Sequence, residues 1–493
     1  MNILLIRPPV SKFTIGLKNL MVCEPLGLEY VAAGVSAKHK IKIFDCLVEN
    51  RLSKILEQFR PDLVGLNCYI TGVNEVIKIC RKIKRKNPNC LNVVGGVHAT
   101  KCPNDFIDTS VDVIAMGDGI KTFSKIIDFK ERGISLINIP GLAFPLGPNK
   151  LYTTSEPEPM ENMDELPFPR RDLVKHLSHK YYYIFHEPLA TIKTTWGCWY
   201  KCNFCYNWTI TNGKVFSRSP EHIASELEMI EQEDVYIVDD IFLIKPKRLE
   251  RLRELIIERG IRKKFLVFGR ADFIAKNETI IKEWSEIGLT AVLIGLEAST
   301  NAELNSMNKE CSVDFNYEAI KVLSRNGVET YGSLIPQPDY TDEDWKRLYK
   351  FIKETGLIYV NISPLTPLPG TLEYVRLKSQ ITVPRKAHGL WDLSHILLPT
   401  SDSLKKYYQK LLWLYVKTCM NMGRVKKHAI RKLPPWYKAN RFRLIKGILK
   451  CYLQFRFAHW HHNQRLIKEA MDRGPETAGL RYRTLHDLQE NIF

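Results

Sequence analysis

TTWGCWYKCNFCYNW, residues 194–208, contains three cysteines in a C-x3-C-x2-C pattern: Cys198, Cys202 and Cys205. Three thiolates on so short a loop can bind three irons of a cubane [4Fe–4S] cluster, whereas a cluster used only for electron transfer normally has four cysteine ligands. A structural zinc site would need a fourth Cys or His at ligand spacing. The next cysteine, Cys311, is far along the chain and is expected to be a buried spectator. The pattern therefore predicts a cluster with one open iron, which can bind a small chelating ligand.

The composition is that of a globular protein, with 45 % hydrophobic and 26 % charged residues in 493. This length allows two or three domains. The start, MNILLIRPP, is too short an apolar run for a signal peptide, and no run of about 20 apolar residues predicts a membrane span. The twelve cysteines then favour a reducing cytoplasm over a disulfide framework.

The net charge of +18 is concentrated near the C-terminus. From Leu404 onward, 20 Lys and Arg minus 5 Asp and Glu gives +15. A strongly basic terminal segment indicates an anionic partner surface, either phospholipid or nucleic acid. Within it, apolar residues recur at helical spacing and form a stripe that either packs on the protein core or faces a lipid surface: Leu444, Ile445, Ile448, Leu449, Tyr452 and Leu453.

Residues 1–148 alternate short apolar runs with amphipathic stretches, which predicts a parallel, doubly wound sheet of the Rossmann type. Five strands are expected, at 2–6, 42–44, 63–67, 91–95 and 113–116. Ligands of such sheets bind at the carboxyl ends of the strands. The candidate ligand contacts there are Asn67, Gly95, Gly96, Val97, His98, Gly117 and Asp118.

The glycines at these strand ends have two interpretations. They let a large flat ligand approach the backbone closely, and Gly95-Gly96 also suits an ordinary tight turn. His98 can be either a ligand contact or a structural histidine whose hydrogen bonds are satisfied within the fold.

Residues 149–188 combine prolines with acidic residues and little periodicity, which is typical of a linker. Residues 189–400 contain a second series of alternating strands and helices. Six parallel strands are expected there, forming a partial (β/α)6 barrel with its chemistry at the carboxyl ends: 189–195, 235–238, 265–268, 291–295, 330–334 and 358–362. Residues 401–493 are predicted to be a basic helical extension.

Polar residues follow the second, third and fourth of these strands. Glu297 can accept hydrogen bonds from hydroxyl or amino groups, and Arg270 can pair with a carboxylate. A structural ion pair at a strand end is the alternative for each. Their position after a triple-cysteine loop favours contact with the chelating ligand.

The cysteine pattern, with the aromatic Phe204 directly before the last cysteine, resembles the signature of the radical S-adenosylmethionine (SAM) enzymes. In that superfamily the open iron binds the amino and carboxylate groups of SAM, and one electron cleaves SAM to methionine and a 5′-deoxyadenosyl radical. The resemblance implies that the three cysteines bind the cluster. The expected SAM contacts are Phe204, Asp239, Arg270, Gly295 and Glu297.

VVGGVHAT (93–100) and MGDG (116–119) resemble the cobalamin-binding domain that precedes many radical SAM modules. Residues 1 to about 400 as a whole resemble the cobalamin-dependent radical SAM enzymes, especially the hopanoid C-3 methylase type. The stretches that carry this likeness include CEPLGLEYVAAGV (23–35), CNFCYNWT (202–209), IVDDIFLIKP (237–246), GLTAVLIGLEA (288–298), PLPGTLEY (367–374) and LWDLSHILLPT (390–400).

The resemblance implies three cofactors, a [4Fe–4S] cluster, SAM and cobalamin, and methylation of an unactivated carbon of a hopanoid-like triterpenoid lipid. The radical removes hydrogen, methylcobalamin supplies the methyl group, and a flavodoxin or ferredoxin type of protein supplies electrons. No side chain is assigned as a catalytic base. The enzyme is expected in the cytoplasm, peripheral at an anionic membrane surface.

Two alternatives stay open. A radical SAM enzyme of this kind can have another outcome, such as ring closure on a tetrapyrrole or another lipid modification. An RNA-modifying protein would use the basic tail on nucleic acid, but no recognisable RNA-binding module accompanies it, so a nucleic-acid partner is not expected.

Overall fold

The computed structural model describes residues 1–16, 19–133, 135–429 and 435–490. The side chains of residues 419–429, 435–442 and 444 lie outside that description. Two sheets of mainly parallel strands follow one another along the chain, the first with seven strands and the second with six. This confirms the predicted fold class.

The first part of the chain contains eight strands: β1 (Asn2–Arg7), β2 (Met21–Val22), β3 (Lys40–Asp45), β4 (Leu63–Asn67), β5 (Leu91–Gly95), β6 (Val113–Ala115), β7 (Leu142–Gly147) and β8 (Lys150–Thr153). All except β2 form one sheet of order β3-β1-β4-β5-β6-β7-β8, in which the first five are parallel. Its helices are α1 (Leu26–Ala33), α2 (Leu52–Phe59), α3 (Val73–Lys86), α4 (Val97–Lys101) and α5 (Gly119–Arg132).

Both faces of this sheet are covered, as the continuous apolar run in β1 requires. Successive side chains of a strand point to opposite faces. Ile3 and Leu5 accordingly pack in one core with Phe123 of α5, while Leu4 and Ile6 pack in another with residues of α3.

An antiparallel hairpin, β7–β8, extends this sheet past the predicted domain boundary. That boundary, at residue 148, falls in the turn between the two strands. The sequence pattern does not reveal the hairpin, because β7 contains Pro145, which is uncommon inside a strand, and a linker-like composition follows β8. The sheet ends at Thr153.

The segment predicted as a linker is attached to the first domain along much of its length. Val174, Leu177 and Tyr181 are buried in the same core as Leu5. The short strand β9 (Tyr182–Tyr183) pairs with β2 in antiparallel fashion. The apolar residues responsible are too irregularly spaced to produce a periodic signal.

The second sheet has six parallel strands in sequential order, as predicted. It consists of β10 (Leu189–Ile192), β13 (Asp234–Ile237), β14 (Lys264–Gly269), β15 (Leu289–Glu297), β16 (Glu329–Leu334) and β17 (Tyr359–Ile362). The remaining strands, β11 (Thr195–Trp196) and β12 (Phe216–Ser217), form a small antiparallel pair. The helices of this region are α6 (Asn207–Ile210), α7 (Pro220–Met229), α8 (Pro246–Glu258), α9 (Ala271–Lys276), α10 (Glu278–Glu286), α11 (Asn301–Ser306), α12 (Val313–Arg325), α13 (Asp342–Thr355) and α14 (Leu372–Leu377).

The C-terminal region is helical and folds back over both domains. Its helices are α15 (Leu404–Ala429), α16 (Pro435–Phe457), α17 (Gln464–Ala470) and α18 (Leu485–Gln489). Phe455 and Ala458 lie in the core of the second sheet, whereas Leu488 lies in the core of the first. Arg483 pairs with the buried Asp112 of the first domain. Among the described helices, none combines the length and apolar character needed to cross a membrane.

Candidate functional site: the carboxyl ends of two facing sheets

The cysteine loop begins at β11, and the β11–β12 pair closes it. Gly197 has a φ of +90°, and a Cβ there would lie 2.2 Å from the carbonyl oxygen of Lys214, so this position requires glycine. The Gly197 N–H donates to Oδ2 of Asp240 at 2.8 Å. Contacts within the protein therefore fix the first turn of the loop without a bound ligand.

Asp239 holds the strand that enters the loop. Its Oδ1 accepts the backbone N–H groups of Thr194 at 2.6 Å and Thr195 at 2.9 Å, and its Oδ2 accepts the Thr194 hydroxyl. The side chain is almost fully buried, and this burial raises the pKa of the carboxyl group above its ordinary value. Both carboxylate oxygens thus fasten the loop, and the predicted contact of Asp239 with SAM stays a prediction.

The three cysteines follow within a tight turn, in which the Cys205 N–H donates to the Cys202 carbonyl at 3.2 Å. Trp208 donates its indole N–H to the same carbonyl at 3.1 Å. Burial raises the pKa of all three thiols, that of Cys205 to about 12. The thiolates therefore need nearby positive charge, which irons would supply.

Two cations of the chain lie beside these sulfurs, Arg270 and Lys309, and both lower the pKa of Cys202. The donor set, three sulfurs with adjacent cations, fits a cluster held by three protein ligands. Cys311 lies near Asp272 and Arg270, and its thiol is 3.8 Å from the Ser312 carbonyl oxygen. The sequence had assigned it no role at the cluster.

Arg270 is buried, and its guanidinium bonds both to its own loop and to the loop that carries Lys309. Its Nη2 donates to the carbonyls of Lys309 at 3.0 Å and Glu310 at 2.8 Å, and its Nε donates to Asp272. The guanidinium also lies 3.4 Å from the ring centroid of Tyr200. Arg270 thus fastens the loop that carries Lys309 beside the cysteines, and its predicted pairing with SAM stays a prediction.

Glu297 ends β15 with a left-handed φ of 60° and forms a buried ion pair with Lys309, whose Nζ is 2.7 Å from its Oε1. Burial lowers the pKa of Lys309, but the charges of Glu297 and Cys202 outweigh it and raise that pKa. A Cβ at Gly295 would lie 2.1 Å from Glu297 Oε1 and 2.8 Å from Lys309 Nζ. Gly295 is therefore needed to make room for the pair.

One polar atom at this end of the sheet is open. The hydroxyl oxygen of Ser299, two residues after Glu297, is buried and has no hydrogen-bond partner among the described residues. Such a group is costly unless a ligand satisfies it. Phe204 packs nearby, against the apolar clusters that contain Leu304 and Leu365. These features fit a SAM molecule bound between the cysteine loop and β15.

A cavity of about 340 Å³ lies between the carboxyl ends of the two sheets. The first domain contributes Tyr69, Ile70, Val97 and His98 to its wall, and the second contributes Tyr206, directly after the last cluster cysteine. The remaining lining residues are Val10, Thr14, Ile15, Gly16, Thr71, Lys101, Asn361, Ser363, Leu368, Pro369, Trp391, Asp392, Leu393 and Ser394.

The first-domain side of this cavity fits a large flat cofactor. The Oδ1 atom of Asn67, at the end of β4, is buried without a partner among the described residues. A Cβ at Gly95 would meet nothing closer than the Ala115 carbonyl oxygen at 3.5 Å, so no contact within the fold explains this glycine. Lys101, on the same cavity wall, donates to the Thr209 carbonyl at 2.7 Å and ties the first domain to the cysteine loop.

Three of the predicted cobalamin contacts, Gly96, Gly117 and Asp118, have a role within the fold itself. Gly96 has a φ of +98°, and a Cβ there would lie 3.0 Å from the Cys68 nitrogen. Asp118 caps α5 by accepting the Ile120 N–H at 2.9 Å, and it is not among the residues that line the cavity. Gly117 has a φ of +78°, and its Cβ would clash with Pro157 at 2.5 Å. The strand ends thus contain both structural glycines and one open position, Gly95.

His98 lies on the cavity wall, but its Nε2 is 2.7 Å from Oδ2 of Asp105. Arg385 donates to the same oxygen, and His388 Nε2 lies 3.5 Å from it. Burial lowers the pKa of both histidines, that of His388 to about 4. The group joins the first domain to the segment after the second sheet, and the Arg385 cation already pairs with the Asp105 carboxylate.

Sequence reasoning missed the aromatic wall of the cavity, Tyr69, Tyr206 and Trp391, and the partner of Glu297, Lys309. Tyr206 adjoins a recognised motif, which is a signal that could have been used. Tyr69, with 61 % of its surface exposed, follows the third predicted strand by two residues. Trp391 lies in LWDLSHILLPT (390–400), one of the stretches that carry the family likeness, whereas Lys309 lies outside any strand end and no pattern in the sequence marks it.

Comparison with known proteins agrees with this geometry. Residues 14–127 match the B12 binding domain and residues 192–352 match the Radical SAM superfamily. The chain is 30 % identical to the hopanoid C-3 methylase of Methylococcus capsulatus over 422 residues, which cover 84 % of this chain and 79 % of that protein. It is 23 % identical to the anaerobic magnesium-protoporphyrin IX monomethyl ester cyclase of Rubrivivax gelatinosus, over 68 % of this chain and 62 % of the cyclase.

Among solved structures, the fold is similar to that of the cobalamin-dependent S-adenosylmethionine radical enzyme OxsB with aqua-cobalamin and S-adenosylmethionine bound. The TM-score is 0.69 at 15 % identity, over 93 % of this chain and 71 % of OxsB. The three-cysteine loop, the cavity shared by two sheets and the extended match to the methylase agree. The chain belongs to the cobalamin-dependent radical SAM enzymes, uses a [4Fe–4S] cluster, SAM and cobalamin, and is a methyltransferase of that family.

Proposed function

We propose that this enzyme methylates an unactivated carbon of a hopanoid-like triterpenoid lipid. The observation that carries the proposal is the cavity: it lies where the cysteine loop meets the first domain, and most of its wall is aliphatic or aromatic. A polycyclic hydrocarbon skeleton gains free energy on leaving water for such a wall. The likeness to a hopanoid C-3 methylase supports the same substrate class.

When bound, the cofactors supply the chemistry: SAM and the cluster remove hydrogen from carbon, and cobalamin delivers the methyl group. The chain's own residues position the partners. Asp239, Asp240 and Gly197 fix the cysteine loop, while the Glu297–Lys309 pair and Arg270 fix the loop beside it. Tyr206, directly after the last cluster cysteine, forms part of the cavity wall.

Polar atoms form the smaller part of the cavity wall. We propose that they orient the substrate and do not transfer protons. An unactivated C–H group is not acidic enough for any side chain to deprotonate, so no catalytic base is needed. Asn361 and Ser363, at the end of β17, are placed to hydrogen-bond a hydroxyl group of the substrate. Asp392 is already committed, because its carboxylate accepts the N–H groups of Ile15 and Ser394 and pairs with His395.

The test is anaerobic reconstitution with iron, sulfide and cobalamin, followed by reaction of the holoenzyme with hopanoid-containing lipid extract and methyl-deuterated SAM. Mass spectrometry should find a lipid product that carries the labelled methyl group, and Cys202→Ala enzyme should yield none. A product with no added carbon would instead support the second candidate, ring closure, which the likeness to a magnesium-protoporphyrin cyclase favours.

We further propose that a flavodoxin- or ferredoxin-type protein supplies the electrons and that nucleic acid is not a partner. The described cysteines are all free thiols, which is in keeping with the reducing, cytoplasmic location we propose for the protein. Replacing a chemical reductant by reduced flavodoxin in the same assay should sustain turnover. Added RNA should not change the rate.

A further inference from the structure

The helix α16 exposes an apolar face. Six large apolar side chains of α16 and the turn that follows it are exposed, from 36 % for Phe457 to 60 % for Ile445, and they recur at helical spacing: Ile445, Ile448, Leu449, Leu453, Phe457 and Trp460. We call this set the α16 face. Leu444, predicted in the same stripe, lies outside the described side chains. Among the described residues of the stripe, Tyr452 packs on the core and the others are exposed, so packing on the core accounts for little of the stripe.

The opposite side of α16 is fixed to the protein, so the α16 face cannot turn inward. Gly447 lies so close to the N-terminal segment that a Cβ would be 2.5 Å from the Asn19 carbonyl oxygen. Asn19 Nδ2 donates to Gln454 Oε1 at 3.3 Å. Phe455 and Ala458 are buried in the core of the second sheet. An exposed apolar face on an anchored helix is a docking surface rather than a misplaced core.

The charges that α16 and the turn after it contribute are of one sign, although Glu187 from the segment before β10 pairs with Arg443. Lys446, Lys450 and Arg456 are exposed among its apolar residues. Residues 443–462 contain no Asp or Glu. A second copy of this chain would bring the same positive charge against itself, which is unfavourable. An anionic lipid surface complements both the charge and the apolar side chains, and Trp460 has the amphipathic character found at membrane interfaces.

The α16 face adjoins the cavity through the turn that follows the helix. His461, next to Trp460, has its Nδ1 2.8 Å from Nε2 of His395, and His395 pairs with Asp392 on the cavity wall. The His461 ring also packs edge-on against Phe13, at 5.6 Å between centroids. Cys451 of α16 contacts the carbonyl of Gly16, another residue of the cavity wall.

We infer that the α16 face docks on the anionic leaflet of a bilayer and brings the cavity to the lipid in which its substrate dissolves. The apolar side chains enter the boundary between headgroups and acyl chains, while the cations contact anionic headgroups. The role in substrate delivery rests on the lipid substrate proposed above; the docking itself rests on the exposed face and its charge.

The test is flotation of the full-length holoprotein with vesicles of phosphatidylcholine alone and of phosphatidylcholine with phosphatidylglycerol. The protein should float with the anionic vesicles only, and salt should weaken the binding by screening. Ile445→Glu/Leu449→Glu should reduce the bound fraction at least about tenfold, because it inserts two anions into the interface. Lys446→Gln/Lys450→Gln should weaken binding to the anionic vesicles by a smaller factor.

The matched control is Met229→Glu/Ile257→Glu, which makes the same charge change at two equally exposed apolar residues of α7 and α8. It should bind like the unmodified protein. Retained cobalamin and cluster absorbance shows that each variant is folded. Absence of binding to anionic vesicles, equal loss in the control, or a dimer that dissociates only in the α16 variant would each overturn the inference.

The docking inference and the proposed function fail in different assays. In detergent-dispersed substrate, the α16 variant should methylate as the unmodified enzyme does, because its cavity and cofactors are intact. Methylation in detergent without vesicle binding leaves the function standing and removes the docking. Vesicle binding without a methylated lipid leaves the docking standing and contradicts the proposed function.

Discussion

The two sheets meet at one cavity, but their carboxyl ends are built in opposite ways. At the second sheet, the charged residues are occupied by the chain itself: Asp239, Asp240, Arg270 and Glu297 all bond to loop backbone or to Lys309. At the first sheet, Asn67 Oδ1 has no partner among the described residues, and a Cβ at Gly95 would meet no atom closer than 3.5 Å. The charged groups on the cluster side are therefore paired before a ligand binds. On the cobalamin side, the buried Asn67 oxygen gains a hydrogen bond only when a ligand supplies one.

The largest expected effect comes from the cysteine loop. Cys202→Ala should abolish the [4Fe–4S] absorbance and SAM cleavage completely, because two cysteines cannot hold the cluster. Cys311→Ala is the control and should leave both nearly intact. Cobalamin binding should survive in both variants, since the cavity wall on the first domain is unchanged. A cluster that survives in the Cys202 variant would contradict the assignment.

The second largest effect is expected from removing one partner of the buried Glu297–Lys309 ion pair of the second sheet. Lys309→Met should destabilise the protein by about 3–5 kcal/mol, because it leaves the Glu297 carboxylate buried without a partner. Urea unfolding of the protein without cofactors measures this directly. Glu297→Gln/Lys309→Met should recover much of the loss. Equal stability of the single and double variants would show that the pair is not coupled.

The third prediction concerns the joint between the first domain and the segment after the second sheet, where burial lowers the pKa of His388 to about 4. Its unfolded pKa is about 6.5. The unfolded chain therefore takes up a proton first as the pH falls, and stability is lost between about pH 6.5 and 4. The difference corresponds to about 3 kcal/mol.

The measurement is the free energy of unfolding as a function of pH. Other buried histidines contribute in the same direction, so the test is a difference between two proteins: His388→Gln, which has no imidazole to titrate, should show a shallower slope between pH 6.5 and 4. Parallel slopes would mean that His388 titrates in the folded protein as it does in the unfolded chain.

The smallest effect on stability should come from the open position of the first sheet. Gly95→Val should leave the melting temperature nearly unchanged but lower cobalamin occupancy, because a Cβ there makes only ordinary contacts within the protein, while a larger side chain would compete with the cofactor we expect at this strand end. Gly96→Val is the contrasting variant: it should destabilise the apoprotein as well, since Gly96 has a left-handed φ. Equal cobalamin content in Gly95→Val and unmodified protein would mean that Gly95 does not contact the cofactor and serves only the turn.

The sequence predicted the elements whose patterns are local. Strands β4 and β5 begin and end at the predicted residues. The cysteine loop was recognisable because its chemistry depends on spacing alone. The order of the second sheet followed from the predicted partial barrel, whereas the first sheet was predicted only to be parallel and doubly wound, without a strand order.

What the sequence could not show are the partners brought together from far apart. Whether Glu297 binds a ligand or an ion depends on Lys309, which lies in a loop with no signature of its own. The same holds for Asp239: its acidity was evident, but its commitment to the Thr194 and Thr195 backbone required knowledge of the loop's path. The β7–β8 hairpin was missed for a different reason, because a proline and a short turn masked its alternation.

The last residues of the chain complete the first domain. Asn74 of α3 donates to the Ala470 carbonyl at 2.8 Å, Arg81 donates to the Gly474 carbonyl at 2.5 Å, and Leu488 fills the core beside β1. During synthesis, the first sheet is therefore translated long before the residues that complete its core, since Leu488 follows β1 by more than four hundred residues. A chain that lacked α18 would leave a core site of the first sheet open to water. A chain cut before Ala470 would in addition leave Asn74 and Arg81 of α3 without these carbonyl partners.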